Sequence, residues 1–142
     1  MTTTAERNKR IARRILEEVV EQGNLDAVDE SYTEDAVEHT PMGEFSGRER
    51  IKEGFARNRD AFSDYTVSVD DMIAEGDTVA VRLTERGTHD GELLGIDPTG
   101  NAFQHQTMAF LRLEDGKVAE WWVLPDNLGF MQQIGVVDPP GE

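Results

Sequence analysis

Apolar residues recur at helical spacing in the first part of this chain and at strand spacing in the rest. Ile11, Ile15 and Val19, with Leu16 beside them, form one stripe that predicts a helix ending near Gly23. Thr3 with Glu6 reads as a capping box at its start. Asn24 is placed to cap a short second helix carrying Leu25, Val28 and Tyr32. Residues 36–39 read as extended, and Pro41 biases Thr40 the same way. Ser46 with Glu49 forms a second capping box. It predicts a helix to about Phe62 with Ile51, Phe55, Asn58 and Phe62 on its inner face.

From Tyr65 the period changes to two. Tyr65, Val67 and Val69 alternate with polar residues, Glu75-Gly76-Asp77 makes a tight turn, and Val79, Val81 and Leu83 continue the alternation. A loop spans 91–100. The strand over 101–113 then places Phe103, His105, Thr107, Ala109 and Leu111 on one face and Gln104, Gln106, Met108, Phe110 and Arg112 on the other. Asp115-Gly116 closes a hairpin into a strand over 118–123, and a short helix begins near Asp126 or Asn127. Helices followed by a strand meander predict an α+β fold: a curved antiparallel sheet with the N-terminal helices across its concave side, forming a cone around a cavity. The length suits one domain over residues 1–142.

Charge narrows the partners. Fourteen bases against 29 acids leave a formal net charge of −15. Nucleic acid and anionic membrane surfaces are therefore not expected to bind. Many acids with lysine only at 9, 52 and 117 suit a protein kept soluble in high salt, so a halophilic cytoplasm is the expected setting. No cysteine is present, which removes disulfides, thiolate nucleophiles and cysteine metal sites. The N-terminal residues lack the apolar run of a signal peptide. The three histidines show no metal-binding spacing, and neither a phosphate-binding loop nor a G-x-S-x-G elbow occurs. No metal and no cofactor are expected.

An ordered set of short motifs carries a resemblance. Gly87-Thr88-His89, Gly91-Glu92, Leu94-Gly95-Ile96 and Pro98-Thr99-Gly100 are followed by Glu114-Asp115-Gly116-Lys117-Val118, Glu120 and Trp122, then Asp126, Leu128-Gly129 and Gln132-Gln133-Ile134-Gly135. With His39-Thr40-Pro41 upstream, the set resembles the SnoaL-like polyketide cyclases of the nuclear-transport-factor-two-like superfamily, which also holds ketosteroid isomerase. The resemblance implies a homodimer through the sheet and a deep apolar cavity. It also implies ring closure by intramolecular aldol condensation on a polyketide ester, with an Asp as acid/base and no cofactor. The matching Asp is Asp126. Three positions depart from the pattern: Val123 stands where many relatives carry a second Asp, Asn127 where Thr is frequent, and Trp121 where His is frequent.

Asp126 lies among Trp121, Trp122, Leu124, Pro125, Leu128 and Phe130. An apolar wall would tune such a carboxyl to move protons near neutral pH. The competing role is a helix N-cap, whose oxygen would sit on the amides of the next turn instead of facing the cavity. His105 is a second catalytic candidate, on an apolar strand face where it would polarise a carbonyl or share a proton with Asp126. Trp122, on the resemblance, together with His39, Asn58, His89 and Phe55, would line or bind the substrate, a small apolar carbonyl compound. Against a cyclase or isomerase-like enzyme stands a non-catalytic dimeric binding module of the same fold. Two or three convergent polar groups near Asp126 favour the enzyme, and a purely apolar lining favours the binder.

Overall fold

The computed structural model describes residues 3–138. The chain opens with α1 (Thr4–Ile15), capped by Thr3 and Glu6 bonding each other's backbone amides as the capping box predicts. Its stripe of Ala12, Ile15, Leu16 and Val19 is buried. The helix continues as a π-helical stretch, Leu16–Glu21. It stops at Gly23, which has φ +74°, and a Cβ there would overlap the Arg59 side chain.

α2 (Asp26–Ser31) follows, with Leu25 at the cap and no side-chain cap bond, so Asn24 does not serve as expected. Tyr32 begins β1 (Tyr32–Thr40) instead of ending the helix. β2 is Gly43–Ser46 and α3 is Arg48–Ala61. The second capping box does not form either. Ser46 is paired with Val37 across β1–β2, and Gly47, at φ 91°, takes the cap position with no side chain to offer. Four long strands complete the sheet: β3 (Phe62–Glu75), β4 (Thr78–His89), β5 (Ala102–Glu114) and β6 (Lys117–Pro125). α4 is Asn127–Gln133.

The sheet order is β2-β1-β6-β5-β4-β3. Neighbours are antiparallel except β1 against β6, which run parallel, so the sheet is mixed and not wholly antiparallel as expected. Register shifts interrupt β3–β4, β5–β6 and β1–β6. Such bulges bend strands and deepen twist, and here the sheet curls around the helices. One core cluster joins α1, α2 and α3 to the concave face through residues such as Ile15, Val28, Tyr32, Ile51, Leu111 and Trp121. A second, at the other end, holds Ala61, Leu93, Phe103, Phe130 and Ile134.

The loop over 90–101 is tied to the end of α3: the amides of Asp90 and Gly91 both donate to the Ala61 carbonyl. A Cβ on Gly91 would meet the Asp60 carbonyl oxygen at 2.0 Å, so only glycine lets the loop lie flush against the helix end. No described helix is long and apolar enough to cross a membrane.

Candidate active site

Between the two clusters lies a cavity of about 290 Å³, near the lower end of the usual range for small-molecule sites, roughly 300–1,000 Å³. Its lining is mostly apolar. Phe55, Leu83, Ala109, Trp121 and Val123 form its middle, and Met42, Leu94 and Met131 stand among the loop and α4 residues around it.

Strand alternation decides which side chains enter. On β6, Trp121, Val123 and Pro125 line the cavity, while Trp122 and Leu124 are exposed on the other face of the sheet. Trp122 is therefore not the cavity tryptophan; Trp121 is. Its ring packs on Tyr32 and Phe55, and its Nε1 is buried with no hydrogen-bond partner. On β5 the expected face holds: Phe103, Thr107, Ala109 and Leu111 are buried, and His105 lines the cavity beside Thr107 and Ala109.

Phe55 also lines the cavity, and so does Asn58, although Asn58 is exposed at the rim and not buried on the inner face of its helix. His39 points away from the cavity, on the outer face of β1. Its Nε2 lies 2.7 Å from Glu120 and its Nδ1 3.2 Å from Glu44, and its ring stacks on Trp122. The bond to His39, and then Arg112, holds the Glu120 carboxyl below its usual range. His89 is fully buried outside the cavity lining, where its Nδ1 meets the amide and hydroxyl of Thr99 and pins the 90–101 loop.

Asp126 does not line the cavity. It caps α4, with Oδ1 accepting from the Gly129 amide at 2.9 Å, and it is exposed. Its carboxylate lies so close over Gly129 that a Cβ there would come within 2.3 Å of Oδ2. The physical reason is local. At a strand-to-helix junction the free amides of the first helical turn are the strongest donors within reach of a short acidic side chain.

The cavity's carboxyl groups come from strands β1 and β4 instead. Glu38 pairs in register with Trp121 and lines the cavity. The residue is half-buried, but its Oε2 is sealed from solvent and has no hydrogen-bond partner. Burial pushes its carboxyl up to about 7, because nothing repays the ionised form for lost hydration. Tyr32 is also buried with an unpartnered hydroxyl, and burial, then the charge of Glu38, holds its phenol well above the usual range. Glu85 sits on the opposite wing. It accepts from the hydroxyls of Tyr65 and Thr107, and its Oε2 lies 3.7 Å from Nδ1 of His105. Burial, then Glu85, raises the Tyr65 phenol.

Sequence patterning missed both acids. Glu85 was within reach: extending the alternation Val79, Val81, Leu83 by one step puts it inside. Glu38 lies in a segment too short for its inward face to be told from its outward one. Among the described residues no cluster of three His, Asp or Glu side chains could hold a metal ion.

A six-stranded curled sheet, helices across its concave face and a lined cavity define a cone-shaped α+β protein of the nuclear-transport-factor-two-like class. Residues 10–134 match the family model of the SnoaL-like polyketide cyclases, and the chain belongs to that family. Aklanonic acid methyl ester cyclase DnrD of Streptomyces peucetius is 32% identical over 108 residues, which cover 75% of this chain and 73% of that protein. IdmH of Streptomyces antibioticus superposes with a TM-score of 0.79 at 30% identity, over 91% of this chain and 99% of that one. TsrD of Streptomyces laurentii has a TM-score of 0.85 at 24% identity, covering 96% and 100%, a likeness of fold.

Proposed function

We propose that the protein is a cofactor-independent cyclase that closes a ring in a small, largely apolar keto ester, with Glu38 moving the proton. The observation that carries this is the sealed, unpartnered Oε2 of Glu38 on the wall of a mostly apolar cavity, where burial pushes the carboxyl up to about 7. A general acid/base works best when its pKa lies near the operating pH. Membership of the SnoaL-like family and a relative named for an aklanonic acid methyl ester support the substrate class and the reaction.

In the proposed step, ionised Glu38 takes a proton from the carbon α to one carbonyl. The resulting enolate carbon forms the new C–C bond to a second carbonyl carbon of the same molecule. The second carbonyl oxygen gains a proton and becomes a hydroxyl. The step is redox-neutral, product and substrate have the same mass, and no co-reactant is needed. Trp121, Phe55 and Val123 would hold the apolar body of the substrate. Asp126 gathers no polar groups in the cavity, but Glu38 on one wing and Glu85, His105, Tyr65 and Thr107 on the other favour an enzyme over a binding module of the same fold.

Purified protein should be incubated with keto esters that carry one ring still to be closed, from bicyclic compounds up to aklanonic acid methyl ester. Ring closure is read as an isomer of unchanged mass and altered retention. At least one ester should cyclise faster than in buffer. If none does, the protein is not a cyclase of this class.

A further inference from the structure

We infer that Glu85 is a positioning residue for His105, fixing which ring nitrogen carries the proton and presenting the other to the cavity. The consequence for turnover rests on the cyclase assignment; the geometry does not.

Four neighbouring side chains make the arrangement. Glu85 and His105 face each other across β4 and β5 in direct register. Both are largely withdrawn from solvent, with 16% and 9% of their side chains exposed. Glu85 is itself immobilised: one oxygen accepts from the hydroxyl of Tyr65 on β3, the other from the hydroxyl of Thr107 on β5. A carboxyl group held by two hydroxyl donors keeps its oxygens in place, and Oε2 lies 3.7 Å from Nδ1 of His105. That separation is an ion-pair contact, longer than a hydrogen bond.

A second acceptor, the Gln106 carbonyl, lies 3.4 Å from the same nitrogen. Two acceptors facing Nδ1 select the form protonated there. The ring is also held flat. Phe103 stacks on it with centroids 5.7 Å apart, and Phe130 meets it edge-on at 5.8 Å. Nε2 has no protein partner among the described residues, on a residue that lines the cavity. His105 would thus offer a lone pair at Nε2 in its neutral form and a proton there in its charged form, at a fixed place in the wall.

The arrangement is separate from Glu38. In sheet order, β6 and β5 follow β1, so His105 is two strands away from Glu38 and Glu85 is three. A ligand spanning the apolar middle would meet one titratable group near each end. A substrate with two carbonyl groups held apart by an apolar segment matches that spacing.

The test is long-range ¹H–¹⁵N correlation of His105 in ¹⁵N-histidine-labelled protein without substrate, above the titration range of imidazole. The unmodified protein should show the Nδ1–H form. Glu85→Met, which keeps the length and apolar fit but removes the carboxylate and leaves only the Gln106 carbonyl at Nδ1, should shift the ring toward the Nε2–H form that free imidazole prefers. In the ring-closing assay, the same variant should lose up to about 100-fold in kcat, the lower end of what a positioned acid/base supplies, with little change in KM. An Nε2–H ring in the unmodified protein, or an unchanged tautomer or kcat in the variant, overturns the proposal. Should Glu85→Met fail to fold, Glu85→Gln takes its place in the same two measurements, and an Nε2–H ring in the unmodified protein still overturns the proposal. If the unmodified protein closes no ring, the cyclase assignment fails while the tautomer result stands.

Discussion

At the scale of single residues, two carboxyl groups have exchanged roles between sequence and structure. Asp126 sits among aromatic and apolar neighbours in the sequence, yet its oxygen is spent on the Gly129 amide. Asp126→Ala should cost about 1 kcal/mol of stability, the usual loss for a helix cap, measured by denaturant melts. Glu38 has the opposite history: it is unremarked in the sequence and left unpaired at the cavity wall. Its folded-state carboxyl binds a proton more tightly than the unfolded one, about 7 against an ordinary 4.5. Between those values the folded state holds more protons. The stabilising contribution is therefore fully present below about pH 4.5 and is lost as pH rises through about 7. Glu38→Gln removes that loss. It should be more stable than the unmodified protein by about 2–3 kcal/mol near pH 8, and equal to it near pH 4. Equal stability at both values would mean that the carboxyl ionises freely. The candidate site was thus only partly legible. His105 and Phe55 follow from periodicity, but an acid's hydrogen-bond partner depends on which amide or hydroxyl the fold brings beside it.

At the scale of elements, the strands were the most legible part. Long alternation fixes faces, because a one-residue slip would turn every inward side chain outward, as Phe103, Thr107 and Leu111 illustrate by their burial. Helix starts were less so. Thr3 caps α1, but Ser46 is drawn into β2 and Asn24 is bypassed, since tertiary pairing outweighs a local cap worth about 1 kcal/mol. Nor could local pattern reveal that β1 runs parallel to β6, which depends on contacts more than 80 residues apart, as between His39 and Glu120. The loop over 90–101 supplies Leu93, Leu94 and Ile96 to the cavity, and Gly91 seats it on the end of α3. Gly91→Ala should lower stability by about 1–3 kcal/mol through overpacking and weaken ligand retention by displacing those side chains. An unchanged melting temperature would show that the Asp60 carbonyl gives way.

At the scale of the whole molecule, the outer face of the sheet is the largest feature left unexplained by the cavity. Met108 pairs with Leu124 and Phe110 with Trp122, and these four side chains are 38% to 67% exposed. Both signs of charge flank them, from Arg112, Glu114 and Glu120. Exposed apolar side chains paired side by side in this way suit burial against a partner. A second copy of this sheet is the occupant we propose, because a two-fold axis would set patch on patch. Sedimentation should show a dimer that Phe110→Glu converts to a folded monomer; a monomer before substitution removes the proposal. The central claim is narrower: the cavity-wall acid moves the proton and the helix-cap acid does not. Parallel turnover measurements on Glu38→Gln and Asp126→Ala, with an ester the unmodified protein cyclises, test it most directly. Glu38→Gln should lose about two to four orders of magnitude in kcat, and Asp126→Ala should stay within a few-fold of the unmodified protein. The reverse ranking, with Asp126→Ala inactive and Glu38→Gln near full rate, would contradict it.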